Sequence, residues 1–123
     1  MLHRRNVLLG GVLAATPARA ADFPEKPVTL VVPFAPGGAI DVLARLLGDQ
    51  ASRALGQPVV IENKLGAGGN LGVESVAKSK PDGHTLLISP GTIATNVTAY
   101  KKLPYDLIKD FQAVTLIGQT GVV

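Results

Sequence analysis

The segment from Val28 to Asp41, VTLVVPFAPGGAID, constrains the fold of this chain more than any other feature. It begins as an apolar run without polar alternation, which is typical of a strand buried on both faces of a parallel sheet. Pro33 ends the run, and Gly37 and Gly38 lead directly into a helical pattern. The segment therefore predicts strand, glycine turn and helix. The start of such a helix offers unpaired N–H groups and a partial positive charge, so it can hold a carboxylate or phosphate.

The alternation of strands and helices continues along the chain. Apolar stripes predict helices at Ile40 to Leu55 and Val73 to Ser79, a short or irregular helix at Ile93 to Ala99, and a helical turn at Leu107 to Asp110. Short apolar runs predict strands at Val59 to Ile61, Thr85 to Ser89 and Ala113 to Ile117. This order predicts an α/β fold with a mostly parallel sheet and helices on both faces.

Three loops of small residues follow the first three predicted strands. In parallel sheets ligands bind outside the carboxyl ends of the strands, so these loops predict one binding surface. Phe34 is the aromatic residue expected to line it. Asp41 either caps its helix or orients a ligand or water, and the sequence leaves both roles open. Four polar residues could bind a ligand in the same cleft or serve equally well in turns and caps, namely Asn70, Ser89, Thr92 and Asn96.

Several functional classes are excluded by the motifs. The dinucleotide fingerprint G-x-G-x-x-G fails because Leu71 stands where its last glycine belongs, and a P-loop fails because Asn70 follows Gly69. The chain contains no cysteine, which excludes disulfides and cysteine-based metal sites. His84 is expected to be a surface turn residue rather than a general base. We therefore predict no catalytic residues, no metal site and no cofactor.

Residues 1–20 have the pattern of an export signal. A basic start at Arg4 and Arg5 precedes an apolar stretch, and cleavage is expected after Ala20. The paired arginines resemble a twin-arginine signal, but the general secretory route is slightly favoured because Val7 stands where that pattern usually has Phe. Three of the twelve Lys and Arg residues lie in this leader, which leaves nine against nine Asp and Glu. The mature chain is formally neutral, and nucleic acid is excluded as a partner.

Several motifs occur together in one order along the chain. They are Pro33-Phe34-x-x-Gly37-Gly38-x-x-Asp41, Gly66-Ala67-Gly68-Gly69-Asn70-x-Gly72, Pro81-Asp82-Gly83 and Leu103-Pro104-Tyr105-Asp106-x-x-Lys109-Asp110-Phe111. In this combination the sequence resembles the Bug family, the periplasmic substrate-binding receptors of tripartite tricarboxylate transporters. His84 departs from the pattern, since Tyr usually follows Pro-Asp-Gly there.

The resemblance implies the type II periplasmic-binding-protein fold, with residues 21–123 as an incomplete N-terminal lobe. It implies a receptor that captures small organic carboxylates and delivers them to membrane permease subunits, without catalysis. The binding residues it implies are Phe34, Ala35, Gly37, Gly38 and Asp41 in the first loop, Gly68, Gly69 and Asn70 in the second, and Ser89, Thr92 and Asn96 in the third. Two alternatives remain: a secreted α/β enzyme acting on an anionic substrate, or a truncated product without independent function.

Overall fold

The computed structural model describes residues 22–119. The predicted signal peptide and its cleavage site after Ala20 lie outside these residues, so they stay predictions.

A three-stranded parallel sheet forms the centre of the molecule, in the order β2-β1-β3. Its strands are β1 (Val28–Val32), β2 (Val59–Asn63) and β3 (Thr85–Leu87). Leu30 of the central strand lies opposite Ile61 on one side and Leu86 on the other. Because all three strands run in the same direction, their carboxyl ends meet at one edge, and the loops that follow them are neighbours there.

Helices connect the strands, as the sequence predicts. The α-helices are α1 (Ala39–Leu55), α2 (Asn70–Ala77) and α3 (Asn96–Ala99), and 3₁₀ turns cover Ala67–Gly69 and Gly91–Thr95. The first helix ends at Gly56, which has a φ of 70° and donates its N–H to the Ser52 carbonyl at 3.0 Å. A left-handed residue at this position favours glycine. None of the helices within residues 22–119 is long and apolar enough to cross a membrane.

Helices pack on both faces of the sheet, which confirms that part of the predicted fold. On one face Val32 packs with Ala44 of α1. On the other face Leu87 packs against a cluster that includes Val73 of α2 and Tyr105. Alternate residues of a strand point to opposite faces, so an almost wholly apolar strand such as β1 must be covered on both.

The predicted fourth strand at Ala113 to Ile117 is wrong for the described part of the chain, where this segment pairs with no strand. The side chains of Val114 and Leu116 are each 78% exposed. A strand forms only where a neighbouring backbone completes its hydrogen bonds, and apolar composition cannot supply that partner.

The prediction for His84 is also wrong, because this residue is only 7% exposed rather than on the surface. Its ring packs on Phe23, with the ring centroids 4.9 Å apart. It lies just before β3, at the edge of the sheet opposite the three loops, so it cannot act on a ligand held there.

Candidate functional site

A cleft of about 310 Å³ opens between the first and third loops, at the carboxyl edge of the sheet. Five residues that the sequence predicts as binding residues line it, namely Phe34, Ala35, Gly38, Asp41 and Thr92; Ala39, Ile40 and Pro90 complete the lining. The remaining six predicted residues, Gly37, Gly68, Gly69, Asn70, Ser89 and Asn96, do not line this cleft. The structure therefore separates the predicted binding residues into five that line the cleft and six that lie outside its lining.

The start of α1 forms one wall of the cleft. Its N-cap residue is Gly38, which has extended backbone angles (φ −73°, ψ 166°), and no side chain caps the helix. The first N–H groups of an α-helix have no partner within the helix, so those of Ala39 and Ile40 remain available. A Cβ at Gly38 would meet only the Ala35 carbonyl oxygen, at 3.5 Å. This wall thus offers donors and a partial positive charge without a side chain in front of them.

Asp41 is held in place by four hydrogen bonds from protein groups. Its carboxylate is 3% exposed and accepts hydrogen bonds from Arg45 Nε at 2.9 Å, Arg45 Nη2 at 3.2 Å, Asn63 Nδ2 at 2.9 Å and the Gly37 N–H at 2.9 Å. The bond from Arg45, followed by those from Gly37 and Asn63, lowers the pKa of Asp41 well below its ordinary value of 3.8. The carboxylate is therefore ionised at neutral pH, and its bonds shape the first loop.

Asn63 is a site residue that the sequence analysis missed. Besides Asp41, its Nδ2 bonds the Phe34 carbonyl at 3.0 Å, so it ties the first loop to the end of β2. The available signal was a polar amide at the end of a strand, two positions after Ile61, where the apolar run stops. It falls at the carboxyl edge of the sheet, where the loops meet.

Gly37 orients the loop rather than facing the cleft. Its φ is +84°, a conformation that favours glycine, and its N–H is used by Asp41. The bond closes the turn between β1 and α1, so the backbone arrives at Gly38 in the extended conformation from which the helix starts.

The glycines of the second loop serve close packing. Gly69 has a φ of +91°, and a Cβ there would lie 2.7 Å from Ile93 Cδ1 and 3.2 Å from Phe34 Cζ. Gly68 has a φ of +64°, and a Cβ there would lie 3.0 Å from the Tyr100 hydroxyl. The second loop therefore packs against the Phe34 ring. Phe34 of the first loop and Ile93 of the third can approach this closely only because Gly69 has no side chain.

Asn70 is the centre of a second polar network. Its Oδ1 accepts hydrogen bonds from Asn96 Nδ2 at 2.8 Å and from the Tyr105 hydroxyl at 2.6 Å, and the residue is 5% exposed. Asn96 Nδ2 also bonds the Gly68 carbonyl at 3.1 Å. Burial raises the pKa of Tyr105, which keeps its phenol protonated as a donor. Tyr105 thus has two roles, because its ring packs with Val73 in the core and its hydroxyl orients Asn70.

Of the three residues predicted in the third loop, the structure places Thr92 in the cleft lining. The Thr92 carbonyl accepts a hydrogen bond from Thr95 Oγ1 at 2.6 Å. Ser89 is exposed and lies outside the lining. Among residues 22–119 no group of three or more His, Cys, Asp or Glu side chains is arranged to hold a metal ion.

Comparisons with known proteins find a matching family and similar relatives. A family model described as tripartite tricarboxylate transporter family receptor matches residues 43–123. The UPF0065 protein in the tcbD-tcbE intergenic region of Pseudomonas sp. strain P51 is 42% identical over 120 residues, which cover 94% of this chain and 36% of that protein.

Solved structures agree with the sequence relatives. The structure of MatC from Rhodopseudomonas palustris with bound malate is similar at a TM-score of 0.68 and 50% identity, over 72% of this chain and 31% of that one. The periplasmic binding protein BugD is similar at a TM-score of 0.66 and 44% identity, over 68% of this chain and 28% of that one. The chain thus spans about a third of the length of the relatives it matches.

Proposed function

The chain belongs to the tripartite tricarboxylate transporter receptor family, and from that premise we propose that it acts in the periplasm as part of a receptor for a small organic carboxylate. The receptor would deliver its ligand to the membrane permease subunits of a transporter. Family members are solute-binding proteins, so no chemical step is required of the site. Residues 21–123 would form part of the first lobe.

The uncapped start of α1 is the observation that carries this proposal. It opens on the 310 Å³ cleft with N–H donors, a glycine N-cap and no side chain in the way. A carboxylate group of the ligand would accept hydrogen bonds from these amides. Phe34 and Ala35 would contact its carbon atoms, and Thr92 would face it from the third loop. The malate bound to MatC supports this ligand class, because it is a small dicarboxylate.

The remaining predicted residues would act at a greater distance. Gly68, Gly69 and Asn70, with Asn96, would keep the second loop packed behind Phe34, and Gly37 would set the loop before α1. Ser89 would reach the ligand only at the margin of the cleft, since it lies outside the lining.

Titration calorimetry of the intact protein tests the proposal. We expect saturable binding of malate, citrate or another small carboxylate, and the ligand should be recovered chemically unchanged. Inorganic phosphate serves as the control anion. Binding of phosphate but of no carboxylate would contradict the proposed ligand class. Turnover of the added acid would instead favour the enzyme alternative.

A further inference from the structure

One of the residues that line the cleft, Asp41, carries a negative charge, which disfavours an anionic ligand. Asp41 lies in the first turn of α1 and lines the cleft, where the proposed ligand would approach. An ionised carboxylate so near an anionic ligand repels it, and the protein that lines the cleft screens this repulsion less than bulk water does. Carboxylate binding therefore requires that the Asp41 charge be offset.

Arg45 is placed to offset it. It follows Asp41 by one helical turn and bonds both carboxylate oxygens, Nε to Oδ2 at 2.9 Å and Nη2 to Oδ1 at 3.2 Å. Such paired bonds combine full charge with fixed geometry. The same guanidinium reaches Asn63 Oδ1 at 3.4 Å. Arg45 itself is absent from the cleft lining, so its charge acts on the ligand through the pair it forms with Asp41.

We propose that Arg45 is a positioning residue for carboxylate binding, because it neutralises Asp41 and so permits an anion at the start of α1. This inference rests on the proposed function. The other two partners of Asp41, the Gly37 amide and the Asn63 amide, are neutral, so they hold the carboxylate in place without removing its charge. All three partners thus fix the position of the Asp41 carboxylate, but among them only Arg45 neutralises its charge.

Charge-balanced variants of the intact protein separate this role from a structural one. Arg45→Gln removes the cation and keeps an amide donor, and we expect it to raise the Kd for malate by about tenfold. The double variant Asp41→Asn with Arg45→Gln removes both charges, and it should bind malate about threefold more tightly than Arg45→Gln, although the new amide cannot accept every hydrogen bond of the carboxylate. Arg45→Lys keeps the charge and should also bind within about threefold, even though it loses the paired geometry.

The matched control is Arg53→Gln, in the last turn of the same helix, which removes an equal charge far from the cleft. Its Kd should be unchanged. If the double variant binds as weakly as Arg45→Gln, or if Arg45→Gln binds like the unmodified protein, the charge role is wrong. Failure of the unmodified protein to bind any carboxylate is a separate result, and it overturns the proposed function together with this inference. Should Arg45→Gln not fold, the Arg45→Lys and double variants still decide between charge and structure.

Discussion

Gly72 is the position where a single methyl group should do most harm, although it lies in a helix. A Cβ built there would be 2.7 Å from Pro33 Cβ, 2.8 Å from Pro33 Cα and 2.9 Å from the Lys64 carbonyl oxygen. Contacts this short cannot persist, and two of the three atoms belong to the backbone. Substitution by alanine therefore requires α2 to move away from the ends of β1 and β2.

Two opposing effects determine how much Gly72→Ala changes the free energy of unfolding. Alanine is favoured over glycine within a helix by about 1 kcal/mol, which by itself would stabilise the variant. Overpacking a core costs about 1–3 kcal/mol, and the upper end applies because backbone rather than a flexible side chain must move. We expect Gly72→Ala to lower the free energy of unfolding by about 2 kcal/mol, the difference between these terms.

Equilibrium urea unfolding measures this, with Gly48→Ala as the matched control. Gly48 is also buried in a helix, but a Cβ there would meet side-chain atoms, with Ile61 Cδ1 nearest at 3.1 Å. The Ile61 side chain can rotate slightly, so this variant should be neutral or more stable by up to about 1 kcal/mol. A Gly72→Ala protein as stable as Gly48→Ala would refute the reasoning, since helix propensity would then outweigh the contacts of α2.

Three further predictions concern the site. Gly38→Val should weaken malate binding at least about tenfold, because its side chain enters the cleft; unchanged affinity would contradict the cleft assignment. Its urea midpoint should fall only modestly, because valine is a poorer N-cap than glycine but meets little protein here. Tyr105→Phe should lower the free energy of unfolding by about 1 kcal/mol, since Asn70 Oδ1 loses a buried hydrogen bond; equal stability would show that the bond contributes nothing. Asp41 has a folded-state pKa below its ordinary 3.8, so its contribution to stability is complete above that pH and is lost as the pH falls toward the folded-state value. Unfolding measured at about pH 7 and about pH 3 should therefore show a smaller pH effect in Asp41→Asn than in the unmodified protein.

The edge at which the loops meet could be predicted from the sequence because it follows from short-range patterns. The apolar run of β1 required cover on both faces, and alternation of strands with helices required parallel strands. Phe34, Gly38 and Thr92 were placed at this edge by those patterns alone, and the structure brings them to one cleft.

The roles of particular polar residues could not be predicted in the same way. The sequence left open whether Asp41 caps a helix or orients a ligand. Its bonds to Gly37 and Arg45 are local, but the bond from Asn63, 22 positions away in the chain, depends on how β2 packs beside α1. Tyr105 reaches Asn70 across 35 positions. Patterns within one element carry no information about such partners, because contacts between distant segments depend on how the elements pack.

The two errors have the same origin. The residues from Ala113 to Ile117 are mostly apolar and several are β-branched, so they favour a strand locally. A strand also needs a neighbouring backbone, which this segment lacks within residues 22–119. His84 was placed on the surface from its turn sequence, yet Phe23 covers it from a distant part of the chain.

By itself, the sequence determined the α/β class, the parallel sheet with helices on both faces, the glycine loops at one edge and the motifs of the family, since each depends on residue type and spacing along the chain. Tertiary structure alone decided which of the candidate residues line the cleft, that Gly69 and Gly72 are required for close packing, and that Asn63 bonds Asp41. The physical reason is that space and hydrogen-bond partners at a site come from segments far apart in sequence, and they exist only once those segments are packed together.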